Sequence, residues 1–143
     1  MTQANPYQNN QDLEVLSASP LELVVLLYRG AIEALDAARR HLVAGEIKER
    51  SKKITKICSI LEELSSSLDP AQAPQLARQL AELYGYLHRR LCQANIEQTM
   101  EPLDEVRALL ANLLDGWQQV CDAQADGFAQ QVAGQSECAQ YVA

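Results

Sequence analysis

Residues 84–95 have the sequence Tyr-Gly-Tyr-Leu-His-Arg-Arg-Leu-Cys-Gln-Ala-Asn. Through this stretch and just before it, apolar side chains recur at helical spacing: Leu80, Leu83, Tyr84, Leu87, Leu91 and Ala94. The stretch holds no nucleotide-binding loop, no cluster of metal ligands and no nucleophile beside a base. It therefore predicts a helix that packs through one face and presents a surface on the other.

The composition favours an all-α fold. The chain has 143 residues, of which 48% are hydrophobic and only 5% aromatic. A chain of this length forms a single domain with a substantial core, and this core must be aliphatic. Leu and Ala dominate while β-branched residues rarely cluster, which favours helices over strands.

The charge argues against nucleic acid as a partner. The formal net charge is −7, and no Lys or Arg follows Arg107, whereas a nucleic-acid binder needs a basic face. One basic run interrupts the acidic chain: Lys48, Arg50, Lys52, Lys53 and Lys56. Because Glu46 and Glu49 lie within it, we interpret it as a solvated helix face with internal ion pairs. A site for an acidic partner is the alternative.

Cysteine usage and hydropathy indicate a cytosolic protein. None of the four cysteines forms a CxxC pair, and Cys58, Cys92 and Cys121 fall beside apolar helix positions, where free Cys acts as a small hydrophobe. We expect neither a disulfide framework nor a signal peptide. The longest apolar run, residues 23–28, is too short to span a bilayer, so we expect no membrane insertion.

Start and stop signals predict four helices. Ser19, Pro20 and Glu22 form a capping box at the start of helix 1, and Gly45 ends it. Helix 2 is expected at about residues 47–68 and helix 3 at about 74–98. Helix 4 is expected from about Pro102 through Val120. Four amphipathic helices with short connections predict an antiparallel up-down four-helix bundle over residues 19–122.

The two ends of the chain lack this pattern. Residues 1–18 are polar and rich in Gln and Asn, and we predict a mobile N-terminal segment. Residues 123–143 are small, polar and acidic. We predict a C-terminal tail there, with a short helix near Phe128.

Searches for catalytic chemistry give only weak candidates. His88 on a helical bundle suggests a phosphorelay module, but the Lys-Gly pair usual after such a His is missing. A chorismate-mutase-like pocket could use charged groups from two helices: Lys56, Glu82, Arg89 and Arg90. Their spacing is not diagnostic, and no Glu-x-x-His pairs suggest a di-iron site. We therefore predict no catalytic residues, no metal and no cofactor.

Gly85 lies inside a helical pattern between two tyrosines and leaves two interpretations open. The missing side chain permits either close packing of another helix or room for a partner peptide.

Several motifs in the correct order resemble the FliS family of flagellin-specific export chaperones. The first is Asn5-Pro6-Tyr7-Gln8, followed by the run Leu16-Ser17-Ala18-Ser19-Pro20-x-Glu22-Leu23 and then Leu26-Leu27-Tyr28-x-Gly30-Ala31-Ile32. Residues 84–95 resemble the family's Tyr-x-Tyr-hydrophobic-x-Arg-Arg-Leu-x-x-Ala-Asn segment, and Glu105-Val106 and Trp117 follow at the expected places. The resemblance covers about residues 5–121.

This resemblance implies a chaperone without catalysis or cofactor. It implies binding to the disordered C-terminal segment of flagellin, prevention of early polymerisation, and delivery to a flagellar type III export gate component. An anti-sigma factor or a co-chaperone is a further implied partner. The N-terminal segment is then expected to cap the client groove, with Asn5, Pro6 and Tyr7 as its docking residues.

Grooves between the helices are the expected place for a disordered amphipathic client. On helices 2 and 3 we predict these client-binding residues: Ile54, Ile57, Leu61, Tyr84, Leu87 and Leu91. For each of them, a wide core face is the alternative. A protein of another class, a structural homo-oligomer that buries the same stripes between copies, also remains open.

Overall fold

The described part of the chain, residues 19–141, is built from four α-helices. The computed structural model describes the backbone of residues 19–141 and the side chains of residues 19–127. The helices are α1 (Pro20–Ala44), α2 (Ile47–Ser66), α3 (Pro74–Glu97) and α4 (Glu101–Tyr141). Within the described range there is no strand, so the all-α prediction is confirmed.

The ends of α1 follow their sequence signals. The Ser19 amide donates to Glu22 Oε2 at 3.1 Å and the Glu22 amide donates to Ser19 Oγ at 3.2 Å, which is the predicted capping box. At the other end Gly45 has φ +72°. The Glu46 amide donates to the His41 carbonyl, and the Gly45 amide donates to the Leu42 carbonyl. This is a Schellman motif, and it reverses the chain into α2.

The fourth helix is longer than predicted. It continues through residues 123–141, where a tail with only a short helix near Phe128 was expected. Ala and Gln supply about half of these residues and Pro none. Helix propensity therefore sustains the helix where no apolar stripe does.

Residues 26–114 form one compact unit, and the described residues outside it, 19–25 and 115–141, belong to a second unit. Within residues 26–114, Asp36 pairs with Arg107, and Arg39 pairs with Asp104. The later residue of α1 therefore contacts the earlier residue of α4, which shows that the two helices are antiparallel. The division of the chain into residues 1–18, 19–122 and 123–143 stays a prediction.

Contacts between the other helices of this unit show that they are antiparallel as well. Early α2 meets late α3, because Arg50 binds Asn95 while Leu61 and Tyr84 line one cavity. Late α3 meets early α4, because Arg90 binds Glu105. The order is that of an antiparallel up-down bundle, as predicted.

The core of the bundle is aliphatic, as the composition indicates. Its fully buried side chains include Leu35, Ile57, Leu64, Leu87, Leu91, Leu103, Val106 and Leu110. Tyr28 of α1 and Tyr84 of α3 are also buried, and their hydroxyls share a short hydrogen bond. Burial and this hydrogen bond raise the pKa of Tyr84 far above its ordinary value, so the phenol stays neutral.

One prediction about the basic run is wrong. Arg50 was expected on a solvated face, but it is only 2% exposed. Its Nε donates to Asn95 Oδ1 at 3.1 Å and its Nη2 to the Asn95 carbonyl at 3.2 Å. Lys52, in contrast, is exposed and pairs with Glu49 at 3.4 Å as predicted. Arg50 therefore belongs to the α2–α3 interface and not to a surface patch.

Candidate functional site

The six predicted client-binding residues all lie in the core beside the α2–α3 seam. They are Ile54, Ile57, Leu61, Tyr84, Leu87 and Leu91, each no more than 4% exposed. The structure brings them together and gives each a packing role in the chain by itself. Contact with a client stays a prediction for all six.

Two adjoining cavities run along the outer side of this seam. The first has a volume of about 510 Å³ and is lined by Leu61, Glu62, Ser65, Ser66, Ala81, Tyr84, Gly85 and His88. The second has a volume of about 460 Å³ and is lined by Ile54, Thr55, Cys58, Ser59, Glu62, His88, Cys92, Asn95 and Ile96. Glu62 and His88 line both cavities. The two cavities are therefore parts of one surface depression, which we call the α2–α3 groove.

The floor of the α2–α3 groove is apolar and its rim is polar. Ile54, Leu61 and Tyr84 are buried and line it from below. On the rim, the Thr55 hydroxyl donates to the Ser51 backbone carbonyl at 2.9 Å. The Ser59 hydroxyl likewise donates to the Thr55 backbone carbonyl at 3.1 Å. Since these donors are already satisfied by their own helix, apolar groups of a ligand can pass them without breaking a bond.

Gly85 opens the first cavity. A Cβ added there would meet, among the described residues, only the guanidinium end of Arg89, at 3.5 Å. No neighbouring helix of the described residues therefore requires glycine at this position. Close packing of another helix, one of the two interpretations that the sequence left open, therefore does not account for this glycine, and room for a partner peptide stays a prediction.

Gly30 also differs from a close-packing glycine. A Cβ there would meet Ile60 Cδ1 at 3.7 Å, which is an ordinary van der Waals contact. Helix approach thus does not demand glycine at residue 30.

Four titratable side chains line the second cavity of the α2–α3 groove: Cys58, Glu62, His88 and Cys92. Cys92 Sγ lies 3.8 Å from His88 Nδ1. Burial, with the nearby Cys92 thiol and Glu62 carboxylate, raises the pKa of Cys58 to about 11. Across the described residues, no three His, Cys, Asp or Glu side chains are grouped as a metal site needs.

The charged residues considered for a chorismate-mutase-like pocket do not converge. Lys56, Glu82 and Arg89 are exposed. Arg90 is bound elsewhere, with its Nη2 2.6 Å from an oxygen of Glu105 on α4. Glu105 also accepts a short hydrogen bond from Tyr86. The paired arginines of residues 84–95 therefore divide into one that ties α3 to α4 and one that faces solvent.

The predicted N-terminal cap cannot be placed against this groove. Asn5, Pro6 and Tyr7 lie outside the residues that the structure describes. Among the helices that it does describe, none combines the length and the apolar character that a bilayer crossing needs.

Comparison with known proteins decides the family. The family model described as flagellar protein FliS matches residues 3–124. The chain belongs to the FliS family. This confirms the resemblance carried by the sequence motifs, and it places the protein among chaperones and not among enzymes.

Individual relatives from three bacteria support the same family. The flagellar secretion chaperone FliS of Salmonella typhimurium is 36% identical over 74% of this chain and 79% of its own length. The chaperone FliSB of Pseudomonas aeruginosa is 36% identical over 74% of this chain and 84% of its own length. The FliS of Bacillus subtilis is 28% identical over 84% of this chain and 89% of its own length.

A solved structure supports the fold. A crystal structure described as a bacterial flagellar chaperone superposes with a TM-score of 0.69 at 18% sequence identity. It covers 83% of this chain and 99% of its own. At this identity the likeness speaks for the helical bundle and not for the details of the groove.

Proposed function

We propose that this FliS-family protein binds the disordered C-terminal segment of flagellin in the cytosol. It keeps that segment from polymerising early and assists its transfer to the flagellar type III export gate. The observation that carries the proposal is the α2–α3 groove, in which Gly85 leaves space that packing among the described residues does not use.

The shape of the groove suits an amphipathic segment that is ordered on binding. Apolar side chains of the client enter above Ile54, Leu61 and Tyr84, while its polar side faces the hydroxyl-rich rim. Ile57, Leu87 and Leu91 are fully buried and line neither cavity, so their part is to support the floor from within the core. They contribute to binding by fixing the floor.

The thermodynamics also suit a chaperone that must release its client. Ordering a disordered segment costs roughly 2–5 kcal/mol of the gross interaction energy. Binding is therefore moderate even though much apolar surface is buried. Moderate affinity lets an export gate component compete for the client, and it leaves an anti-sigma factor or a co-chaperone as further partners.

Calorimetric titration with a flagellin peptide tests the proposal. The peptide covers about the last 50 residues of flagellin from the same organism, a span scaled to burial of roughly 1,000–3,000 Å². We expect one peptide per chain, a large negative heat-capacity change, and a gain of helix on mixing. The absence of binding by well-folded protein would refute the proposed function.

A glycine variant locates the site. Gly85→Leu places a side chain in the first cavity, where its Cβ meets, among the described residues, only the guanidinium end of Arg89 at 3.5 Å, and helix propensity favours Leu over Gly. The new side chain takes the place of one apolar side chain of the client. Loss of that contact, worth about 1.4 kcal/mol, should weaken binding of the flagellin peptide about tenfold. The matched control is Gly116→Leu on α4, since a Cβ at residue 116 meets nothing within 4 Å among the described residues. Equal effects of the two variants would place the client elsewhere.

A further inference from the structure

Two cysteines on different helices line the second cavity of the α2–α3 groove. Cys58 lies on α2 and Cys92 on α3, and both line the cavity of about 460 Å³ together with His88. Both are free thiols and half-buried. The proposed function uses neither thiol, although each borders the path of the client.

The surroundings of the two thiols differ. Cys92 Sγ lies 3.8 Å from His88 Nδ1, so the imidazole nitrogen is placed to accept the thiol proton. Cys58 has its pKa raised to about 11 by burial, by the Cys92 thiol and by Glu62, so it remains protonated at neutral pH. Because His88 contacts Cys92, we take Cys92 as the thiol that an oxidant attacks and Cys58 as the resolving thiol.

We propose that Cys58 and Cys92 form a reversible disulfide that closes the α2–α3 groove and lowers its affinity for the client. This inference rests on the proposed function, because it assigns a regulation to the same groove. In a reducing cytosol such a bond is transient, as is usual for redox-sensing cysteines.

The reaction balances with hydrogen peroxide as the two-electron oxidant. His88 takes the Cys92 proton, the Cys92 sulfur attacks one peroxide oxygen, and the O–O bond breaks. The products are a Cys92 sulfenic acid and a hydroxide that recovers the proton from His88 as water. The Cys58 sulfur then attacks the Cys92 sulfur, the S–S bond forms, and the S–O bond breaks. The departing hydroxide takes the Cys58 proton as a second water.

Closure narrows the groove for a geometric reason. A disulfide holds its two Cα atoms within about 7 Å. Packed helices usually have their axes 8–10 Å apart. The covalent bond therefore draws α2 and α3 together where the client lies, and it removes both thiols from the groove wall.

The test is performed on the full chain with Cys121→Ser and Cys138→Ser, so that only the proposed pair can react. Treatment with hydrogen peroxide is expected to remove two hydrogen atoms by mass and to link the peptides of Cys58 and Cys92. The flagellin peptide should then bind roughly 5- to 150-fold more weakly, the range of typical coupling between two sites. A thiol reductant should restore the affinity. Bound peptide should in turn slow disulfide formation.

Single variants provide the matched controls. Cys58→Ser and Cys92→Ser, each in the same background, should show the same peptide affinity before and after peroxide. A disulfide that leaves the affinity unchanged, or the lack of any intramolecular disulfide, would overturn the inference. If the reduced protein binds no flagellin peptide, the proposed function fails instead, and the peptide map still shows whether the thiols pair.

Discussion

At the scale of single residues, Arg50 is held by an amide and not by a carboxylate. Asn95 accepts from Nε of Arg50 through its side chain and from Nη2 through its carbonyl, and Ser51 Oγ donates to the same Oδ1 at 3.2 Å. Hydrogen bonds to a charged group contribute about 1.5–3 kcal/mol. Asn95, the last residue of the Arg-Arg-Leu-x-x-Ala-Asn motif, therefore fastens α2 to α3 at one end of the groove.

Asn95→Ala is expected to destabilise the fold by roughly 1.5–3 kcal/mol, because it leaves the buried guanidinium short of an acceptor. Urea unfolding followed by circular dichroism measures the free energy of unfolding. Ser51→Ala is the matched control, since it removes a neutral donor to the same oxygen and should cost about 1 kcal/mol. An Asn95→Ala loss no larger than that of Ser51→Ala would contradict this role.

Burial of Arg50 shows where sequence reasoning stops at this scale. Surrounding charges favoured a solvated face, and Lys52 and Glu49 do form a surface pair. A signal was nevertheless present, because Arg50 precedes Ile54 and Ile57 at the spacing of one helical face. The pattern identifies the face of a residue, but only the facing helix decides whether Asn95 is there to satisfy a buried cation.

At the scale of helices, charged groups on α4 connect it to α1 and α3. Glu105 accepts from Tyr86 and Arg90 of α3, and Asp36 of α1 pairs with Arg107 at 2.7 Å. The Tyr86 hydrogen bond, then that of Arg90, holds the pKa of Glu105 below its ordinary value. The Arg107 hydrogen bond does the same for the pKa of Asp36. Both carboxylates thus favour the folded state when ionised.

We expect stability to fall in acid for this reason. A lowered folded-state pKa means that the stabilisation is complete above the ordinary values, 4.5 for Glu105 and 3.8 for Asp36. It is lost as pH falls through the lower folded-state values. Urea unfolding from about pH 7 to pH 3 should show this loss. Glu105→Gln should lower stability at neutral pH and reduce the acid-dependent loss.

Glu97→Gln is the control for this experiment. Glu97 is exposed, and its carboxylate accepts hydrogen bonds from the neutral Gln93 side chain of the same helix. The Glu97→Gln variant should leave the pH dependence of the free energy of unfolding nearly unchanged. A Glu105→Gln profile that parallels the wild type through the whole acid range would contradict the role given to Glu105.

Helix limits show how local and long-range signals differ. The start of α1 and its end at Gly45 were predicted within a residue, because capping box and glycine cap act locally. The end of α3 at Gln98, which has φ +56°, carries no glycine signal. The extension of α4 to Tyr141 was missed because an apolar stripe was required, although helix propensity alone supports it.

At the scale of the whole molecule, the apolar stripes are used within one chain. The homo-oligomer alternative would bury the stripes of α2 and α3 between copies. Instead, Ile54, Leu61 and Leu87 are buried in the bundle of a single chain. The bundle and the family could be predicted from sequence, since both depend on periodicity and ordered motifs. Whether Gly85 permits close packing or opens space could not, because that depends on how α2 and α3 pack.

This use of the stripes predicts a monomer that takes up one client. Sedimentation velocity of the free protein should give a single species of about the chain mass, 15.8 kDa. Addition of the flagellin peptide should produce a heavier species with one copy of each partner. Since the described residues of α2 and α3 bury their stripes within one chain, dilution should not change the free species. A tight dimer that the peptide leaves unchanged would favour the homo-oligomer, and Gly85→Leu should then alter neither species.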